Sequence, residues 1–200
     1  MRDNYYDSKE FKDDLRKYEH ARDEGHSVFL DSDTFTDIAE YYLSQGMLRH
    51  ASEAVEEALT LFPDATGPLT LKARLLLMRH GDVEQATRII DQIRDKDDLD
   101  YFYINAEIMI ADDRPGDADA YLNDLLPQLD EADRADLVLD SATLFADYNL
   151  TDYARLWLEK SHETDDQDYR ELRGRILYGE GHYSNTNLTR VDRPTPSLAT

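Results

Sequence analysis

Six histidines and 44 Asp and Glu side chains in 200 residues are the groups here that could bind a metal or move a proton. A zincin-type site needs two His on one helical face with a Glu between them, and no such pairing occurs. His20 and His26 straddle the end of one helical segment. His50, His80, His162 and His182 fall at or near helix ends and turns, where a partly charged imidazole faces water comfortably. Asp31-Ser32-Asp33 begins like a calcium loop, but Thr36 stands where that loop needs Gly and Tyr42 where it needs Glu. Asp95, Asp97, Asp98 and Asp100 fail likewise, with Asp100 and Ala106 in those two places. Short acids in both clusters are better suited to accept hydrogen bonds from the free N–H groups of a helix start. Gly179-Glu180-Gly181 lacks the preceding strand and third glycine of a phosphate loop, and no serine sits in a nucleophile elbow. Carboxylate pairs are too abundant for proximity to select one for acid–base work. With no cysteine, thiolate chemistry and disulfides are excluded. The sequence predicts no catalytic centre, no metal and no cofactor.

The bulk charge narrows the partners. A net charge of −22 repels nucleic-acid phosphates and anionic lipid headgroups, and it suits a cationic protein partner. The same charge also keeps a chain soluble. With 40% hydrophobic residues, including 13 Tyr and 6 Phe, there is material for a core despite it. The polar stretch over residues 1–14 does not resemble a signal peptide, and no run approaches the roughly 18 apolar residues of a membrane span. A cytoplasmic location is expected, unless a leader has been removed.

Helical periodicity organises most of the chain. Ser8 as N-cap, Phe11, Leu15 and Tyr18 at spacings of three and four, and Gly25 as C-terminal cap predict a helix over 8–24. An apolar Val28-Phe29-Leu30 link follows it. From Ser32 the pattern becomes a repeat. Phe35, Ile38, Ala39 and Tyr42 share one helical face, Gly46 marks a turn, and Ala51, Val55, Ala58 and Leu59 form a second face before Pro63. Antiparallel helices approach to about 8–9 Å only where one offers a small residue to the other's bulk. Ala39 and Ala51 are twelve positions apart, and that gap returns at Ala106/Ala118, Ala142/Ala154 and, with a large residue in the first place, Arg74/Ala86.

Residues 32–65 closely resemble the 34-residue tetratricopeptide repeat. Starts near 32, 67, 99, 135 and 167 follow from the spacing. The second copy keeps Leu77, Gly81, Ala86, Ile90 and Ile93. The third keeps Phe102, Ala106, Met109, Ala118, Leu122 and Leu125, and the fourth Val138, Ala142, Phe145, Ala154 and Leu158. A fifth opens with Gly174, Leu177, Gly181 as its turn, and Tyr183. It then loses the pattern at Thr186, Arg190 and Arg193. The resemblance implies an all-α, right-handed solenoid of antiparallel helix pairs, with about four full repeats and a partial fifth. Residues 1–31 would cap it, 32–184 would be the repeat domain and 185–200 a frayed tail or linker. No terminal capping helix is recognisable, which leaves open a longer array or a last helix lent to a partner subunit. Trp157, beside Tyr153 and Leu158, is expected between repeats.

In such arrays the first helices line a concave channel that holds a peptide. The inward positions carried over are Thr36, Glu40 and Leu43, then Leu71, Leu75, Met78 and Arg79, then Tyr103, Glu107 and Ile110. Leu139, Thr143 and Asp147 follow, and the partial repeat adds Glu171, Arg175 and Tyr178. The Lys and Asn residues with which one subclass clamps a peptide carboxylate are missing. Thr36, Leu71 and Tyr103 stand in the Lys places, and Glu40, Leu75 and Glu107 in the Asn places. The resemblance implies a protein-interaction scaffold for a segment with apolar anchors and basic flanks. Self-assembly through the C-terminal repeat, or service as the recruiting arm of a larger protein or enzyme, are the alternatives.

Overall fold

Ser8 accepts a hydrogen bond from the Phe11 N–H at 3.1 Å, and Gly25, with φ of 73°, returns its N–H to Ala21 and Arg22. Between these caps lies α1, Lys9–Glu24, as its sequence predicts. The computed structural model describes residues 5–162 and 167–188, with side chains to residue 178. After α1 come α2 (Ser32–Ser44), α3 (Leu48–Leu61), α4 (Thr66–His80), α5 (Val83–Ile90), α6 (Leu99–Ala111) and α7 (Pro115–Leu125). A 3₁₀ turn, Leu126–Gln128, precedes α8 (Glu131–Asp147), α9 (Thr151–Leu158) and α10 (Gln167–Leu188). No strand occurs among the described residues, and no described helix is long and apolar enough to cross a membrane. The helices form two compact units, one ending at Leu125 with α1–α7 and one beginning at Leu126 with α8–α10.

Each hairpin is set by three residues. A small side chain on the first helix meets a small one on the second, and a residue with left-handed backbone turns the chain between them. Ala39, Ala51, Ala86, Ala106, Ala118, Ala142 and Ala154 are all fully buried. The turn residues are Gly46 (φ 70°), Gly81 (φ 61°), Asp113 (φ 58°) and Asn149 (φ 58°), each five positions before the second alanine. Asp and Asn are the L-residues that best tolerate this conformation. That is why two turns close without glycine.

The second hairpin departs from the expected register. Its small contact is Ala73, fully buried, and not Arg74. Eight residues, instead of seven, separate that contact from the turn at Gly81. Relative to the alignment on Arg74, the face of α4 that meets its partners is turned by one residue, about 100°. α4 is apolar on two sides for the same reason. Leu71 and Leu75 join a core with Phe11, Tyr18, Phe35, Ile38, Tyr42 and Val55, while Leu69, Ala73 and Leu77 join another with Ala86, Ile90, Ile93, Ile104 and Ile108. α4 packs against α2, α3, α5 and α6. Further differences concern helix ends. α8 begins at Glu131, four residues before the expected 135, because Asp130 accepts the Ala132 and Asp133 N–H groups at 3.0 Å. α10 runs unbroken through Gly181 to Leu188, so the expected turn is not made there. Arg190, Arg193 and the remainder of the expected tail lie outside the described residues. Trp157 is fully buried on α9, with the Lys160 ammonium 3.4 Å from its ring centroid.

Gly67 tests the closeness of α2 and α4. A Cβ there would lie 2.7 Å from Thr36 Oγ1 and 3.1 Å from Thr36 Cγ2. Gly67→Ala, normally favourable in a helix, is expected to cost about 1–3 kcal/mol by overpacking. Adding Thr36→Ala should recover most of that loss in urea denaturation. A second expectation concerns alkali. Burial pushes the Tyr18 and Tyr121 phenols up to about 12, against roughly 10 in an unfolded chain. A raised folded value means stability fully present below pH 10 that is lost as pH rises towards 12. Denaturation midpoints measured between pH 9 and 12 should fall across that window, and less so in Tyr18→Phe.

Candidate functional site

Five carboxylates from α2 and the start of α6 line a cleft beside the N-terminal end of α4. Asp33, Asp37 and Glu40 come from α2, Asp98 and Asp100 from the start of α6, and Ala65, Thr66 and Gly67 form the α4 wall. Together with Ser32 and Thr36 they line a cleft of about 390 Å³. Local chemistry puts them there. Asp98 caps α6 by accepting the Asp100 N–H at 2.8 Å, and Asp31, just outside the cleft, caps α2 through the Thr34 N–H at 2.7 Å. That hydrogen bond, with the Thr34 hydroxyl, holds the Asp31 carboxyl below its usual range. Thr36 donates its hydroxyl to the Ser32 carbonyl at 2.9 Å, which fixes the side chain against Gly67. On the rim the Tyr5 hydroxyl donates to Asp37 Oδ2 at 2.7 Å, and this bond, reinforced by burial, raises the phenol well above its ordinary value.

Among the described residues the guanidinium of Arg74 sits near these acids. Arg74 Nε donates to Glu107 Oε2 at 2.8 Å. The Glu107 side chain is only 6% exposed and that of Arg74 35%. Burial works against the charge on Arg74, but the Glu107 carboxylate outweighs it, helped by Glu40 and Asp100, and the pKa rises. The register of α4 explains the grouping. Glu40 follows Ala39, Arg74 follows Ala73 and Glu107 follows Ala106, so the three occupy the same place on three adjoining helices. Acid, base and acid therefore form a row across α2, α4 and α6. The shifted helix places a cation where its neighbours carry carboxylates.

The sequence-predicted channel residues divide into several groups. Thr36 and Glu40 line the cleft. Glu107 is buried under Arg74. Leu71, Leu75 and Ile110, expected as exposed anchors, are instead buried, the two leucines in the core shared with α2 and α3. Leu43 packs half-buried on that same core, and Tyr103 is half-buried on α6. Met78 is exposed, and the exposed Arg79 reaches Ser52 Oγ at 3.3 Å. In the second unit Arg175 joins Thr143 and Asp147, donating to the Thr143 carbonyl at 3.3 Å and pairing with Asp147 at 3.0 Å. Leu139 is half-buried there, Glu171 accepts from Gln167 at 2.8 Å, and Tyr178 is exposed. Asp33, Asp37, Asp98, Asp100 and Arg74 were not among the expected channel residues. Asp98 and Asp100 were legible as helix-start acids, and Arg74 as the one misfit in the small-residue pattern.

The cleft carboxylates are spread around the rim. Among the described residues no three His, Cys, Asp or Glu side chains converge closely enough to hold a metal ion. What the arrangement can do is attract and orient a cation that carries its own hydrogen-bond donors. No protein-family model, no curated protein and no solved structure matches the chain.

Arg74→Met should leave Glu107 buried without its counter-ion. The expected loss is about 2–3 kcal/mol, below the 3–5 of a fully buried pair because Arg74 keeps some contact with water. Combining it with Glu107→Leu should restore most of the stability, read from urea unfolding at pH 7. A single variant as stable as the wild type would contradict the pairing.

Proposed function

We propose that the chain is a protein-interaction module of the tetratricopeptide type, a right-handed solenoid of helix pairs that holds a basic segment of another protein in the α2–α4–α6 cleft. The observation that carries this proposal is the cleft itself, with five carboxylates from α2 and the start of α6 around about 390 Å³. The small-turn-small spacing shared by three hairpins, and kept in the second apart from one extra residue, supports the family assignment. Lysine or arginine side chains suit the cleft because they bring several donors on one charge, whereas a peptide carboxylate would meet Asp33, Asp37 and Glu40 head on. The apolar anchors drop out of the recognition scheme, since Leu71 and Leu75 are committed to the core. Charge complementarity then sets encounter rate and specificity, with a reach of about 8 Å at physiological salt.

The test is titration calorimetry with a short Lys- and Arg-containing peptide at several salt concentrations. Asp33→Asn, Asp37→Asn, Asp98→Asn and Asp100→Asn together remove four charges and keep the capping hydrogen bonds. Affinity should fall at least about tenfold, or 1.4 kcal/mol. A control quadruple variant, neutralised at the exposed Asp23, Glu24, Glu84 and Asp91, carries the same charge change away from the cleft. Equal losses in the two variants would mean that the peptide senses only the overall charge, and would reject the cleft as the site.

A further inference from the structure

Tyr5 stands one turn ahead of α1, its carbonyl accepting the Ser8 N–H at 2.8 Å. Its hydroxyl reaches Asp37 Oδ2 at 2.7 Å, 32 positions along the chain, and Asp37 lines the acidic cleft. The ring packs in tilted fashion on Tyr6 and Phe11, with centroids 5.9 and 5.5 Å away. Hydroxyl and ring are therefore both anchored, yet Tyr5 is 42% exposed. Phe11 in the same cluster is buried, and Tyr6 and Tyr41 are half-buried, so Tyr5 is the ring that this packing leaves most open to solvent. The hydrogen bond to Asp37, with burial and the Asp37 charge behind it, raises the phenol above its ordinary value. A cation in the cleft meets it as a neutral ring.

We infer that Tyr5 is a specificity-determining residue, which makes the cleft select arginine over lysine by stacking on a guanidinium that pairs with Asp37. This deepens, and rests on, the proposed binding of a basic segment in the same cleft. A carboxylate attracts any cation, whereas an aromatic face tells cations apart. Guanidinium is planar and weakly hydrated, so it stacks on a ring and still turns its N–H groups to a carboxylate. Ammonium is a compact, strongly hydrated point charge and gains less from the ring. Asp37 holds its ligand beside Tyr5, inside the roughly 6 Å over which a cation and an aromatic face attract. Because the hydroxyl and the neighbouring rings already fix Tyr5, little side-chain freedom is lost when the guanidinium arrives.

The test is calorimetric titration at pH 7 with two short peptides of equal charge, one carrying Arg and the other Lys at every basic position. The ratio of the two affinities is the readout, since a merely structural role for Tyr5 would weaken both peptides alike. In Tyr5→Leu that ratio should fall about two- to fivefold from its wild-type value, the range of an exposed cation–π contact. Tyr5→Phe, which retains a ring, should keep most of it. Helical circular dichroism should be unchanged in both variants. An Arg-to-Lys ratio that is the same in Tyr5→Leu as in the wild type overturns the role of Tyr5 and leaves the cleft as the binding site. So does a ratio that falls as far in Tyr5→Phe as in Tyr5→Leu. Failure of both peptides to bind the wild type rejects the cleft as a site for basic segments, and the selectivity with it.

Discussion

Close approach of paired helices at alanine is the constraint on which the rest depends. Ala39 and Ala51, and their counterparts in the other hairpins, are all fully buried, where a larger side chain would force the packed helices to shift. The approach fixes where the chain must reverse, and the reversal requires a left-handed residue a set distance before the second alanine. Gly46 and Gly81 meet that demand without a Cβ, and Asp113 and Asn149 meet it with short polar side chains. Once each pair is closed, the remaining apolar faces have to find neighbours. α4 shows the consequence, with leucines on two sides feeding two separate cores.

The charges follow from that packing. Acids collect at helix starts, where Asp31, Asp82, Asp98 and Asp130 accept backbone N–H groups. Around the starts of α2, α4 and α6 the cap Asp98 is joined by Asp33, Asp37, Glu40 and Asp100, so carboxylates are concentrated in one place. Arg74 answers part of that concentration from below, by pairing with Glu107. A single inserted residue between Ala73 and Gly81 is what points the guanidinium there. With the simple seven-residue spacing, a leucine would occupy its place and Glu107 would be buried against hydrocarbon.

How much of this was legible can be judged residue by residue. Ser8, Gly25 and the spacing of Phe11, Leu15 and Tyr18 define α1 to within one residue, because caps and periodicity act locally. The alanine contacts were legible for the same reason in three hairpins. The second was misread because Arg74 and Ala86 preserve the twelve-residue interval while Ala73 makes the contact, and an interval alone cannot distinguish two adjacent candidates. That one-residue error carried Leu71 and Leu75 onto the open side. Their burial depends on α2 and α3, separate helices earlier in the chain that leave no mark on the local pattern. Gly181 misled in another way. A glycine can end a helix or be tolerated inside one, and on α10 it is tolerated.

By itself the sequence determined an all-helical chain, the small-residue contacts of three hairpins, the strongly negative charge and the lack of cysteine chemistry. These are properties of residue type and short spacing, which act before any helix meets another. Only the tertiary structure decided which face of α4 is core, which acids share a cleft and that Arg74 lies beneath them. Those outcomes depend on the rotation of one helix relative to its neighbours. Rotation is settled where side chains from distant segments compete for the same buried volume.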